Sequence, residues 1–159
     1  VSLFFEGQRP AVNVGLSVSR VGGAAQSKAM KKASGSIRID LAQYREMAVF
    51  TQFSSDLDAA TKEQLDYGTG LMELLKQPLC QPLSMPEQVI TLVAATNKAF
   101  LDVEAKKIKE TQRGLLKFIK EDHNEIIEEL ETSKVLSDDL KDEILKATEE
   151  YKSKVLKNG

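Results

Sequence analysis

The chain has 159 residues, of which 42% are hydrophobic and 29% charged, and its formal net charge is −2. This composition is typical of one globular domain and excludes a disordered chain. The longest apolar runs fall far short of the roughly 20 residues of a bilayer span, and the small negative charge does not support nucleic-acid binding. With Cys80 and His123 as the single residues of their types, we expect no disulfide and no metal site.

Residues 1 to about 25 show the pattern of extended structure. Four apolar residues alternate with small or polar ones, namely Val12, Val14, Leu16 and Val18. This period of two is typical of a strand, and the paired glycines Gly22 and Gly23 end the segment. We therefore predict a strand followed by a turn, with Arg20 leaving the strand.

From residue 26 onward the pattern is helical. Apolar residues at helical spacing predict three helices, over 26–33, 36–50 and about 58–76. A connection with Pro78, Pro82 and Pro86 follows, which indicates a stiff linker. Ser84 and Glu87 form a capping-box pattern at the start of a helix that we expect to end near Asn97.

The last third is charged and helical. One apolar stripe runs across about residues 104–131 and contains Ile108, Leu115, Ile119, Ile126 and Leu130. A final helix begins after the cap residues 137–139. The stripe covers about three heptads with irregular phase, which favours a globular bundle over a coiled coil. We predict a mainly α fold, with a bundle of about five to seven helices after a short extended lead.

The segment from Arg9 to Gln26 reads Arg-Pro-Ala-Val-Asn-Val-Gly-Leu-Ser-Val-Ser-Arg-Val-Gly-Gly-Ala-Ala-Gln. It resembles the signature of the rotary ATPase nucleotide-binding subunits, and its ending is similar to alpha rather than beta subunits of F-type ATP synthases. Ordered agreement continues at 41–46, 53–61, 74–77, 87–89 and 136–138. The resemblance implies that residues 1–25 end a nucleotide-binding domain and that 26–159 form the carboxy-terminal helical domain. We expect a fragment of a larger subunit.

The resemblance also implies roles for individual residues. In the family, the arginine of Ser-Val-Ser-Arg-Val-Gly reaches the nucleotide of a neighbouring beta subunit as an arginine finger, and this role falls on Arg20. A guanidinium matches phosphate oxygens, and such a cation changes turnover by roughly 10³ to 10⁵ in related systems. Arg20 is therefore the expected catalytic residue, acting in trans.

Three more residues match family positions near the adenine of the subunit's own nucleotide. Arg9 and Pro10 match positions close to the base, and Gln77 matches a glutamine that faces it. Pro78 and Leu79 replace the glycine and the second glutamine of the usual family pattern. A plain loop glutamine at position 77 is the alternative.

An acidic turn over residues 54–61 matches the loop that touches the rotating central stalk in beta subunits. Ser55 and Asp58 are also suitable N-cap residues for the helix that follows. Capping alone therefore accounts for this turn, and stalk contact is an additional role that the resemblance implies.

The implied cofactors and partners are those of the intact subunit. They are ATP or ADP with magnesium, the beta subunits, the gamma subunit and the other subunits of the synthase. The chain would meet the membrane only through the complex, at the cytoplasmic face of the bacterial plasma membrane, or else in the mitochondrial matrix or chloroplast stroma. These 159 residues contain no Gly-x-x-x-x-Gly-Lys-Ser/Thr loop, so we expect no bound cofactor and no ATP hydrolysis by this chain alone. The alternative is a stand-alone helical interaction module without a nucleotide function.

Overall fold

The computed structural model describes residues 2–5, 7–14, 17–51 and 58–157. All regular structure in these ranges is helical. The α-helices are α1 (Ser2–Phe5), α2 (Arg20–Ala25), α3 (Lys28–Ala33), α4 (Ile37–Thr51), α5 (Ala59–Leu75), α6 (Met85–Thr96), α7 (Ile108–Asp122), α8 (Asn124–Ser133) and α9 (Asp138–Lys157), with a 3-10 turn at Ala105–Lys107. The helices α4 to α9 have ten or more residues each and form the predicted bundle, so the mainly α fold class is confirmed.

Helix α6 is the central element of the bundle. It contacts α3, α5, α7, α8 and α9, because its sequence is apolar around most of its circumference from Val89 to Ala95. The predicted capping box fixes its start. The Ser84 hydroxyl accepts a hydrogen bond from the Glu87 N–H, and the Glu87 carboxylate accepts one from the Ser84 N–H at 2.7 Å.

Helices α4 and α5 pack closely at a glycine. The ring of Tyr44 lies against Gly68, where a Cβ atom would be 2.2 Å from Tyr44 Cδ2. Nearby, the Tyr67 hydroxyl donates a hydrogen bond to Asp40 at 2.9 Å. Burial and this bond raise the pKa of Tyr67 above its ordinary value. Both helices start and end within two residues of the predicted bounds.

The predicted strand near residues 12–18 is wrong for the residues that the structure describes. Positions 11–13 and 17–19 have no regular structure, and the chain enters α2 at Arg20; residues 15 and 16 lie outside the described residues. A strand needs a neighbour to pair its N–H and C=O groups, and the described part of the chain supplies none. Val12 and Val18 are accordingly 47% and 72% exposed.

The apolar stripe over 104–131 is buried as predicted, but it does not form one helix. The backbone of His123 leaves the helical region, at φ −139° and ψ 42°, and separates α7 from α8. Both helices contact α6, so the stripe stays in the core across the break. Asp122 and Asn124, on either side of the break, are residue types that favour helix ends over helix interiors, and a continuous apolar period does not reveal such an end. The final helix is confirmed, with the Leu140 N–H donating to the Ser137 hydroxyl at 3.1 Å.

Candidate functional site

Arg20 is the first residue of α2, and its side chain is exposed. Ser19 caps the helix, since its hydroxyl accepts a hydrogen bond from the Gly22 N–H at 2.9 Å. The alternating valines before Ser19 predicted a strand, so the sequence pattern did not indicate Ser19 as a helix cap. Within the described ranges the Arg20 side chain has no hydrogen bond and no ion pair, and it is exposed to solvent.

Two arginines of α4 tie the segment before Arg20 to the bundle. Arg38 donates a hydrogen bond to the Ser17 carbonyl at 2.9 Å, and Arg45 donates one to Asn13 Oδ1. Neither arginine belongs to a motif that would predict this role from the sequence. The available signal was that both arginines lie on α4 but outside its apolar face. These polar contacts and the partly buried Val14, which packs against the core, position the segment before Arg20 without a sheet.

The backbone brings Arg9 and Gln77 together. The Gln77 N–H donates a hydrogen bond to the Arg9 carbonyl at 2.8 Å, just after α5 ends. The Arg9 guanidinium lies 4.7 Å from the centre of the Phe4 ring, and Pro10 follows through a cis peptide bond. The side chains of Arg9, Pro10 and Gln77 are exposed. The backbones of Arg9 and Gln77 are thus adjacent, while no hydrogen bond or ion pair between described residues joins the Arg20 side chain to either residue.

Of the acidic turn over 54–61, residues 54–57 lie outside the described residues. Asp58 is the N-cap of α5 as predicted, because its carboxylate accepts a hydrogen bond from the Thr61 N–H at 2.6 Å. Hydrogen bonds from the backbone and side chain of Thr61 lower the pKa of Asp58 from its ordinary value. Capping is the role that the geometry of Asp58 supports, and Ser55 is among the residues not described.

A cleft of about 420 Å³ lies between the end of α5, the connection over residues 76–83, α6 and α7. Lys109 lines it, and its ammonium donates hydrogen bonds to the Leu74 carbonyl at 2.7 Å and to Gln112 Oε1 at 3.0 Å. Gln112 Nε2 in turn donates to the Thr91 hydroxyl at 3.1 Å. The cleft therefore has a connected polar wall. Of the residues to which the resemblance gives a nucleotide-binding or catalytic role, Gln77 lines this cleft.

The polar wall is buried, and sequence reasoning missed it. Thr91 and Gln112 are 4% and 3% exposed. Burial lowers the pKa of Lys109, and the positive charge of Arg113 acts in the same direction. The signal for this network was two polar residues at core positions, one inside the apolar run of α6 and one on the apolar face of α7, since buried polar groups need hydrogen-bond partners.

The described ranges contain neither a metal-binding cluster nor a membrane-spanning helix. No three or more His, Cys, Asp or Glu side chains are placed there to hold a metal ion. None of the helices described combines the length and the apolar character required to span a bilayer.

Comparison with known proteins assigns the family. The family model described as ATP synthase alpha/beta chain, C terminal domain, matches residues 26–151. The chain belongs to this family. A relative from Acetivibrio thermocellus named ATP synthase subunit alpha is 50% identical over 155 residues, which are 98% of this chain and 31% of that protein. A relative of the same name from Clostridium kluyveri is 47% identical over 157 residues, which are 99% of this chain and 31% of the relative. The resemblance to alpha subunits is confirmed, and the chain spans about a third of the length of these relatives.

Proposed function

We propose that the chain is the carboxy-terminal part of the non-catalytic, regulatory alpha subunit of a proton-transporting F-type ATP synthase. In this proposal residues 1–25 end the nucleotide-binding domain and residues 26–159 are the helical domain. The family match over 26–151 and the names of the relatives support it. The subunit would form a ring with beta subunits around the gamma subunit, contact other subunits of the synthase, and meet the cytoplasmic face of a bacterial plasma membrane only through the complex.

Arg20 is proposed as the arginine finger that this chain supplies to a neighbouring beta subunit. The observation that carries the proposal is an exposed guanidinium without a partner among the described residues, at the start of a capped helix. Negative charge on a transferring phosphoryl group is spread over its outer oxygens, and the two-pronged donor geometry of arginine matches them. Because such a cation acts on the transition state, its loss lowers the turnover rate more strongly than it weakens nucleotide binding.

The test places the substitution in a full-length alpha subunit assembled with its partners. Arg20→Ala is expected to lower ATP turnover by roughly 10³-fold or more while the complex still assembles. Arg20→Lys keeps the charge without the fork and should retain part of the activity. Lys120→Ala, which removes an exposed cation from α7 that does not line the cleft, is the matched control. An assembled Arg20→Ala complex with unchanged turnover would remove this role.

Arg9, Pro10 and Gln77 are proposed to border the adenine of the alpha subunit's own nucleotide. In the intact subunit that nucleotide would be ATP or ADP with magnesium, which supplies charge neutralisation at the phosphates. The three side chains are exposed, and a backbone hydrogen bond joins Gln77 to Arg9. A ring face with an amide edge suits a purine. In the assembled complex, Gln77→Ala should weaken nucleotide binding at the alpha site several-fold without lowering turnover as Arg20→Ala does. Equal binding by the variant would contradict the assignment.

The 159-residue chain alone is expected to be inactive, because it has no phosphate-binding loop. The alternative function, a free helical interaction module, makes no use of Arg20. The turnover experiment therefore separates the two, since a module of that kind predicts no effect of Arg20→Ala on ATP turnover in any assembled complex.

A further inference from the structure

The cleft described above has an excess of positive charge, although the whole chain carries a net charge of −2. Lys76, Lys109 and Arg113 line it, against the single carboxylate of Glu87. That carboxylate already accepts the Ser84 N–H in the capping box, and Lys76 is ion-paired with a glutamate of α5. Among the residues that the structure describes, Lys109 and Arg113 have no ion pair with a carboxylate.

The ammonium of Lys109 is fixed in place before any ligand arrives. It uses two of its three donors, on the Leu74 carbonyl and on Gln112 Oε1. Gln112 is itself held by Thr91, so the position of the third donor is set by buried neighbours. A group that is already ordered costs less entropy when it binds a ligand.

The remaining lining is mostly apolar. Leucine side chains from the connection and from three helices contribute to it: Leu74, Leu83, Leu92 and Leu116. A volume of about 420 Å³ falls within the roughly 300–1,000 Å³ of small-molecule sites, which combine apolar walls with a few placed polar groups.

We propose that this cleft binds a small organic anion with a compact apolar body. The anionic group would be held by Lys109 and Arg113, and the apolar body would lie against the leucines. The site goes beyond the proposed nucleotide contacts, because its two cations are on α7, and Gln77 is the one nucleotide-contact candidate that also lines it. A sulfonate or carboxylate satisfies both the charge excess and the remaining ammonium donor.

Two fluorescent probes of the same shape test the proposal on the 159-residue chain. The anion 8-anilinonaphthalene-1-sulfonate should bind saturably with one site per chain. The neutral N-phenyl-1-naphthylamine, which lacks the sulfonate, should bind roughly tenfold more weakly. Arg113→Gln should weaken the sulfonate probe roughly tenfold and leave the neutral probe unchanged, with circular dichroism confirming that the variant is folded.

Lys117→Gln is the matched control, because it removes a cation of the same helix that does not line the cleft. It should change binding of the sulfonate probe by less than twofold. Equal binding of the two probes, or equal effects of Arg113→Gln and Lys117→Gln, would overturn the proposal. A loss of probe binding in Gln77→Ala but not in Arg113→Gln would also overturn it, because the probe would then report the proposed adenine contact instead.

Discussion

The segment before residue 26 and the helical bundle after it are held together in different ways. Every buried hydrophobic residue in the described part of the chain lies between Ala29 and Ala147, whereas Gln8 is the buried residue in the described positions before 26. The segment is attached by the hydrogen bonds of Arg38, Arg45 and Gln77 and by Val14, which is partly buried against the core. The bundle is therefore specified by its own apolar pattern, while the segment depends mainly on polar contacts and on the partner that we propose for it.

Core truncation gives the largest expected difference between the two regions. Ile119 has no exposed surface, and Ile119→Ala should lower the free energy of unfolding by about 2–5 kcal/mol, since it removes buried methylenes and leaves a cavity. Val18→Ala removes an exposed side chain from the segment and should change it by less than about 0.5 kcal/mol. Urea unfolding of both variants measures the difference. Equal losses would mean that the segment shares the core.

A glycine contact inside the bundle gives the next effect. Gly68→Ala places a Cβ atom within 2.5 Å of three Tyr44 atoms, and we expect a loss of about 1–3 kcal/mol from the forced separation of α4 and α5. Gly70→Ala on the same helix is the control, because its nearest neighbour is Ile108 Cδ1 at 3.4 Å and alanine has the higher helix propensity. Thermal unfolding that ranks Gly70→Ala as the more damaging change would contradict the packing described for Tyr44.

The same division explains how much could be predicted from the sequence. Helices α4, α5 and α6 were predicted to within a few residues because their periodicity and caps are local signals, as at Ser84 and Asp58, whereas the break between α7 and α8 was not predicted. The valines of the segment gave an equally clear strand period, but a strand also requires neighbours, and no local pattern reports whether they are present. The arginine anchors on α4 and the Thr91–Gln112 pair depend on contacts between distant parts of the chain, which a single sequence does not reveal.

Two serine caps extend the comparison to smaller effects. Ser84→Ala removes the cap of the central helix α6 and should cost about 1 kcal/mol of unfolding free energy. Ser19→Ala removes the cap of α2, which we expect to open locally, and should leave global unfolding unchanged. Chemical denaturation monitored by circular dichroism checks both. A larger loss from Ser19→Ala would place α2 inside the cooperative unit.

The smallest effect concerns an exposed ion pair between α3 and α9. The Lys32 ammonium donates a hydrogen bond to Asp138 Oδ1 at 2.7 Å. This hydrogen bond and the lysine charge lower the pKa of Asp138. A lowered folded pKa contributes stability above the ordinary aspartate value, and that contribution is lost as the pH falls through the folded value. Asp138→Asn should therefore have a slightly lower free energy of unfolding than the parent chain at neutral pH and the same value in acid. Asp142→Asn, on the same helix without this bond, is the control, and a difference that persists in acid would contradict the assignment.

Hydrogen exchange of the 159-residue chain tests the difference between the two regions most directly, with each amide followed separately. We predict that amides of α6 and α9 exchange only through global unfolding, while amides of residues 20–25 exchange through local opening with little protection. Protection of residues 20–25 equal to that of α6 would contradict it, because the segment would then be stable without the partner to which we propose it presents Arg20.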